Sequence, residues 1–159
     1  MPTTSATREL GAAVSDVRYA VIYGELNERF WTRIDTALSL VSAIGGSAAV
    51  ATFLAQSNLA NAVAGAVLAL AGVLGLVLRP GQKASQFREA RIGYLNLLGR
   101  AWSMQVGEVD AERARLEAAA PIGLDGLGPV AWNRLVIQLG DEDRAQGLTT
   151  WQSVLAWIA

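Results

Sequence analysis

The sequence predicts an all-α protein: a transmembrane helical hairpin with long cytoplasmic helical extensions and two short C-terminal amphipathic helices. Three observations lead there. No charged residue occurs between Asp35 and Arg79, a gap of 43 residues. The flanking segments are charged and carry apolar residues at helical spacing. Composition is shifted toward lipid, with 52% hydrophobic and 17% charged residues, where soluble domains carry about 25% charge. At 159 residues the chain is one domain's worth of protein.

The first element, residues 1–36, reads as a cytoplasmic helix leading into the membrane. Leu10, Val14, Val17 and Val21 are spaced four, three, four, the seam of an antiparallel or coiled-coil partner. Residues 1–18 carry Arg8, Glu9, Asp16 and Arg18 with no apolar core, so no cleaved signal is expected.

The hairpin occupies residues 37–78. Its polar turn, Gln56-Ser57-Asn58, separates a first span at 37–55 from a second at 59–78. About 20 residues at a 1.5 Å rise cross a roughly 30 Å hydrocarbon core. The second span holds six Leu and four Val, worth about −3 to −6 kcal/mol of insertion. The first is weaker, with Ser39, Ser42, Ser47 and Thr52 among its apolar residues, and is expected to insert as half of a hairpin. A buried soluble hairpin is the alternative. It would need other helices to cover both segments, and the charged remainder of the chain is poorly suited to that.

Orientation follows from the basic flanks. Arg29 and Arg33 precede the first span, Arg79, Lys83, Arg88 and Arg91 follow the second, and the turn has none. Both termini are therefore expected in the cytoplasm. Trp31, Arg33, Asp35, Arg79 and Lys83 mark the expected membrane boundary, with Phe30 and Trp31 as an interfacial anchor. A hairpin turning at Ser57 brings Asp35 opposite Arg79, and Glu25 near Arg88 and Arg91. Gly45, Gly46, Gly65, Ala69, Gly72 and Gly75 are the candidate packing residues. Small side chains let helices approach closely in lipid, within the hairpin or between subunits.

Beyond the break expected at Pro80-Gly81, residues 79–120 read as one cytoplasmic helix with Phe87, Tyr94, Leu98 and Ala101 on its apolar side. It is expected to pair with the N-terminal helix. Residues 121–159 read as a flexible linker (121–129) followed by two short helices. Trp132, Leu135, Val136 and Leu139 form the stripe of the first. Trp151, Val154, Leu155 and Ile158 form that of the second, with Thr149 or Thr150 as N-cap. Such stripes either pack on the long helices or lie in the membrane interface. The acidic cluster Asp141, Glu142 and Asp143 beside Arg144 lacks the ligand alternation of a calcium loop and reads as a solvated turn.

Composition narrows function. With no Cys and no His, the chain lacks thiolate chemistry, the commonest metal ligand and the commonest general base. Its net charge of −1 gives no basic field for nucleic acid. Gly45-Gly46-Ser47 has no following Lys, and the glycines of 121–129 lack a Lys and Ser/Thr, so neither is a phosphate cradle. No catalytic centre, cofactor or metal is expected. The lipid bilayer and further copies of the chain are the expected partners, with a cytoplasmic protein as another.

The run RYAVIYGELNERFWTRID at 18–35, Gly-Gly-Ser-Ala-Ala at 45–49, the basic exit at 79–83 and the long helix after it resemble the SLATT-like group of small two-transmembrane bacterial proteins. The resemblance covers about residues 15–120. The stretch WNRLVIQLGDEDRAQGLTTWQSVLAWI resembles the tail of phage- and prophage-encoded two-transmembrane proteins. What the resemblance implies is an inner-membrane effector that oligomerises on a trigger and breaches the membrane. It supplies no catalytic residues to carry over. This chain shows no appended sensor domain, so the trigger is expected from a partner. The alternative is a membrane-anchored adaptor or structural subunit.

Overall fold

The computed structural model describes residues 9–45 and 58–159. Gly46, most of the second half of the first expected span, and Gln56 and Ser57 of the turn lie outside the described residues. Within them the protein is all-α, without strands.

Helix α1 (Leu10–Gly45) is the axis of the fold. It has no proline, and four of its hydroxyls are satisfied within the helix: Ser15, Thr32, Thr36 and Ser42 each donate to the carbonyl four residues back. This matters most for Ser42, whose group would otherwise be costly in an apolar setting. Helix α2 (Asn58–Leu78) returns antiparallel to α1, with Leu68 against Gly45. Helix α3 (Pro80–Ala101) continues in the same direction.

The expected seam is present. Val14 and Val17, with Ala13, pack against Tyr94, Leu97 and Ala101 of α3, and Leu10 and Val21 flank this core. Leu97 is fully buried and was not among the residues read as apolar contacts from sequence. Phe87 is also buried.

The single helix expected over 79–120 is instead two. The chain turns at residues 102–105, and α4 (Val106–Ala119) folds back along α3. A cap starts the new helix: the Gln105 N–H donates to Glu108 Oε2 at 2.9 Å, and the Glu108 N–H donates to the Gln105 carbonyl at 3.0 Å. Leu116 lies over Gly93, and Arg100 pairs with Glu112 at 3.0 Å. Folding back buries Val109, which a straight helix would leave in solvent.

Residues 121–129 are not a flexible linker. They contain a 3₁₀ turn at Asp125–Leu127, and Leu127 is fully buried. The segment is tied to α1 by Asn27, itself fully buried. Asn27 Nδ2 donates to the Tyr23 carbonyl, and Asn27 Oδ1 accepts from the Leu124 N–H, both at 2.9 Å. Gly126 permits close approach: a Cβ there would meet Leu155 Cδ1 at 2.5 Å. Replacing Asn27 by the near-isosteric Leu strands the Leu124 N–H, which should cost about 1–3 kcal/mol. The expected readout is a lower melting temperature with faster proteolysis at 121–127; unchanged proteolysis would mean the tie is unimportant.

Helices α5 (Gly128–Gln138) and α6 (Thr150–Ile158) both pack on α1. Leu135, Val130, Ala131 and Leu155 join Ile22 and Leu26 in a second core. Leu139 of the expected α5 stripe is exposed. Gly140, at φ 74°, ends α5 in the left-handed conformation that glycine favours. The acidic cluster forms an exposed 3₁₀ turn, Glu142–Arg144, with Arg144 on Asp141 at 3.3 Å. Thr149 is the N-cap of α6, accepting from the Gln152 N–H at 3.3 Å.

Candidate functional site

The residues expected at the boundary converge where the charged bundle meets the uncharged helices, but not in the expected pairs. Between α2 and α3 the break is one residue long. Arg79 takes a left-handed conformation (φ 45°), the one positive φ among the described non-glycine residues, and Pro80 opens the next helix. Proline suits that first position because it lacks the N–H that a helix start leaves unpaired.

Asp35 does not pair with Arg79. Its carboxylate lies against Gly81 in the first turn of α3, where a Cβ would sit 3.1 Å from Oδ1. The turn at Arg79 and Pro80 places this position two residues later than a straight hairpin would. An anion there is favoured by the positive end of the helix dipole, and Arg79 is exposed.

Glu28, not Glu25, meets Arg88 and Arg91 of α3. Arg88 Nε donates to Glu28 Oε1 at 2.8 Å, and Arg91 Nε to Oε2 at 2.9 Å. Glu28 is only 8% exposed. Glu25 pairs one turn along its own helix with Arg29. Less than one helical turn separates the two glutamates, and an ideal depth rule does not resolve that.

Trp31 is not an outward interfacial anchor. It is buried, and the Lys83 ammonium sits 4.2 Å from its ring centroid, a cation–π contact between α1 and α3. Phe30 meets the Trp31 ring edge-on at 5.3 Å and packs toward α5 and α6. Arg33 has a role that charge counting does not reveal. Its Nη1 donates to the Trp157 and Ile158 carbonyls at 2.9 and 2.5 Å, satisfying the C-terminal end of α6.

Beyond this junction the surface becomes apolar on all sides. On α2, Leu59, Val63, Val67, Leu70, Val73, Leu74, Leu76 and Val77 are exposed, as are Leu40, Val41 and Ile44 of α1. Leu76 reaches 78% exposure, and Ala71 is the buried hydrophobic residue of α2 among those described. The run Asn61–Ala101 is the one stretch of described residues long and apolar enough to cross a membrane, and it is mostly exposed. Its uncharged part ends at Leu78; α3 carries Lys83, Arg88, Glu89, Arg91 and Arg100.

The small residues divide. A Cβ on Gly45 would collide with Leu68, so Gly45 serves contact within the pair of helices. Among the described residues nothing lies within 4 Å of such a Cβ on Gly65, Gly72 or Gly75. Ala69 is exposed, and Gly46 lies outside the described residues. Gly72 and Gly75 line a shallow groove between α1 and α2 with Ser39, Ser42 and Ala71.

A cavity of about 330 Å³ between α1, α3 and α4 was not foreseen. Tyr19, Tyr23, Phe87 and Tyr94 wall it, with Asp16 and Arg113 nearby. The Tyr19 and Tyr23 rings stack at 6.0 Å, a spacing four residues apart on α1 that the sequence does contain. Burial pushes all three tyrosine hydroxyls above their usual pKa, so they stay protonated at neutral pH. Comparison with protein-family models, curated proteins and solved structures finds no match for this chain.

Proposed function

We propose that the chain is a small integral protein of the bacterial inner membrane. In this reading its two apolar helices span the bilayer as a hairpin, and it acts as a self-associating membrane effector, pore-forming or membrane-perturbing. The observation that carries the membrane assignment is the exposure of α2 on nearly every face. A helix apolar all round is either buried in protein or immersed in lipid, and here α1 lies along one side and leaves the rest exposed among the described residues. Exposed apolar patches of this extent are rare on soluble monomers. The backbone polar groups of such helices are satisfied internally, as lipid requires.

Both termini belong on the cytoplasmic side. The N-terminal part of α1 packs with α3 to α6 in one bundle at the same end of the apolar pair, and the basic residues lie there too. The effector reading draws on the resemblance to SLATT-like proteins and on glycines with no close neighbour among the described residues. The adaptor reading is favoured by one observation. The described parts of the spans carry no charged residue, whereas ion paths through membranes usually contain one.

Two measurements test this in bacterial cells. In this cysteine-free chain, Ser57→Cys is expected to react with an impermeant maleimide from outside, and Ile122→Cys only after lysis. The reverse pattern would remove the topology. Induced expression is expected to collapse the membrane potential reported by a voltage-sensitive dye. Unchanged potential together with a stoichiometric co-purifying protein would favour the adaptor.

A further inference from the structure

We infer that helix α6 is a membrane-interface anchor, whose outer face lies against the headgroup and upper acyl region of the phospholipid bilayer. This rests on the membrane reading of α1 and α2 and adds a third membrane contact to it. Helix α6 has two sides. Leu155 is buried in the core with Ile22 and Leu26. Away from that core Trp157 is 82% exposed and Val154 is exposed too, whereas Trp151 sits one turn before Leu155 with its ring beside Gly126. No charged side chain follows Arg144, and the polar Gln152 and Ser153 side chains bond to the Thr149 backbone at the helix start.

Position identifies the occupant. The end of α6 is held by Arg33, and Trp157 and Ile158 border a hollow with Ile34 and Ala37 of α1. Asp35 is the last charge before the uncharged run begins. Trp157 thus stands at the level where α1 loses its charges, and its surface is continuous with the exposed apolar side chains beyond. Tryptophan favours this depth because its ring is apolar and its N–H is polar. Trp31, the aromatic expected there, is turned inward under Lys83. Trp157 takes the place at the surface that Trp31 leaves empty. A charged or hydrogen-bonding protein partner would find little on this face to pair with.

The test uses the full chain in nanodiscs of phosphatidylethanolamine and phosphatidylglycerol. Trp157→Cys, Leu70→Cys and Ile122→Cys each carry an environment-sensitive fluorophore. All three positions are largely exposed, so replacement leaves the packing intact. At 157 the expected result is blue-shifted emission, loss of quenching by aqueous iodide, and strong quenching by a lipid nitroxide near the headgroup. Position 122 should keep iodide quenching and ignore the nitroxide. Iodide quenching at 157, with position 70 quenched by lipid nitroxide, overturns the anchor and leaves the membrane reading standing. A blue-shifted label at 157 that neither reagent quenches means a protein covers α6, and also overturns it. Iodide quenching at position 70 overturns both.

Discussion

Glu28→Ala is expected to lower the melting temperature in mild detergent by roughly 5–10 °C, from a loss of about 2–3 kcal/mol. Glu28 joins α1 to α3 through two charge-assisted hydrogen bonds, to Arg88 and Arg91. The two arms are not equal. The Arg88 side chain is 63% exposed, so solvent screens that arm and its share is about 0–1 kcal/mol. The Arg91 side chain is half-buried, and its stem lies over Gly24, 3.4 Å from where a Cβ would be. Without the carboxylate, Arg91 is left beside α1 as a poorly compensated charge, which costs more than the pair itself contributes. Two controls give the prediction its edge. Arg88→Ala should cost no more than about 1 kcal/mol, and Glu25→Ala about 0.5 kcal/mol, the value of a pair along one helix. Equal melting of the Glu28 and Glu25 variants would show that the junction is held by packing alone.

These two glutamates also show where sequence reasoning ends. The pairing of α1 with α3 was legible, because a four-three-four seam of Leu and Val has few uses other than a helical partner. The uncharged run was legible because 43 consecutive residues carry no charge. Rotation about the helix axis was not. Glu25 and Glu28 differ by less than one turn, and a rule of equal depth cannot choose between them. The same limit hid the environment of Trp31, whose residue type fits both an interface and a core. The fold-back at 102–105 did leave a signal, Gln105 followed three residues later by Glu108, but helical periodicity on both sides obscured it. At 121–129 the glycines were read as freedom. Several instead allow close approach to Tyr19, Tyr23 and Leu155, contacts made by residues more than 20 positions away in the chain. The ends of α6 were legible in part: Thr149 is a local cap, whereas Arg33 reaches α6 across 124 positions.

Gly72→Leu is expected to weaken self-association at least about tenfold, or ~1.4 kcal/mol, while membrane insertion is retained. Apolar burial does not draw helices together in lipid, so close backbone approach and hydrogen bonds must do it. Within the described residues Gly45 is already used against Leu68. Gly65, Gly72 and Gly75 have no close neighbour among the described residues. Gly72 lies on the groove between α1 and α2, where Ser42 has spent its hydroxyl on the Leu38 carbonyl. That leaves packing, more than side-chain hydrogen bonding, to hold a neighbouring helix there. A Leu at 72 fills the groove yet remains favourable to insertion, by about −0.3 to −0.6 kcal/mol. Gly45→Leu is the informative contrast. It drives a side chain into Leu68 and should loosen the pair of helices itself, lowering the melting temperature where Gly72→Leu leaves it near the parent value. Native mass measurement in mild detergent reads the oligomer, and the voltage dye reads its consequence. Loss of both with Gly72→Leu ties any depolarisation to assembly of the spans. If the unmodified chain is monomeric under these conditions, the open glycines face only lipid, and the adaptor reading replaces the effector.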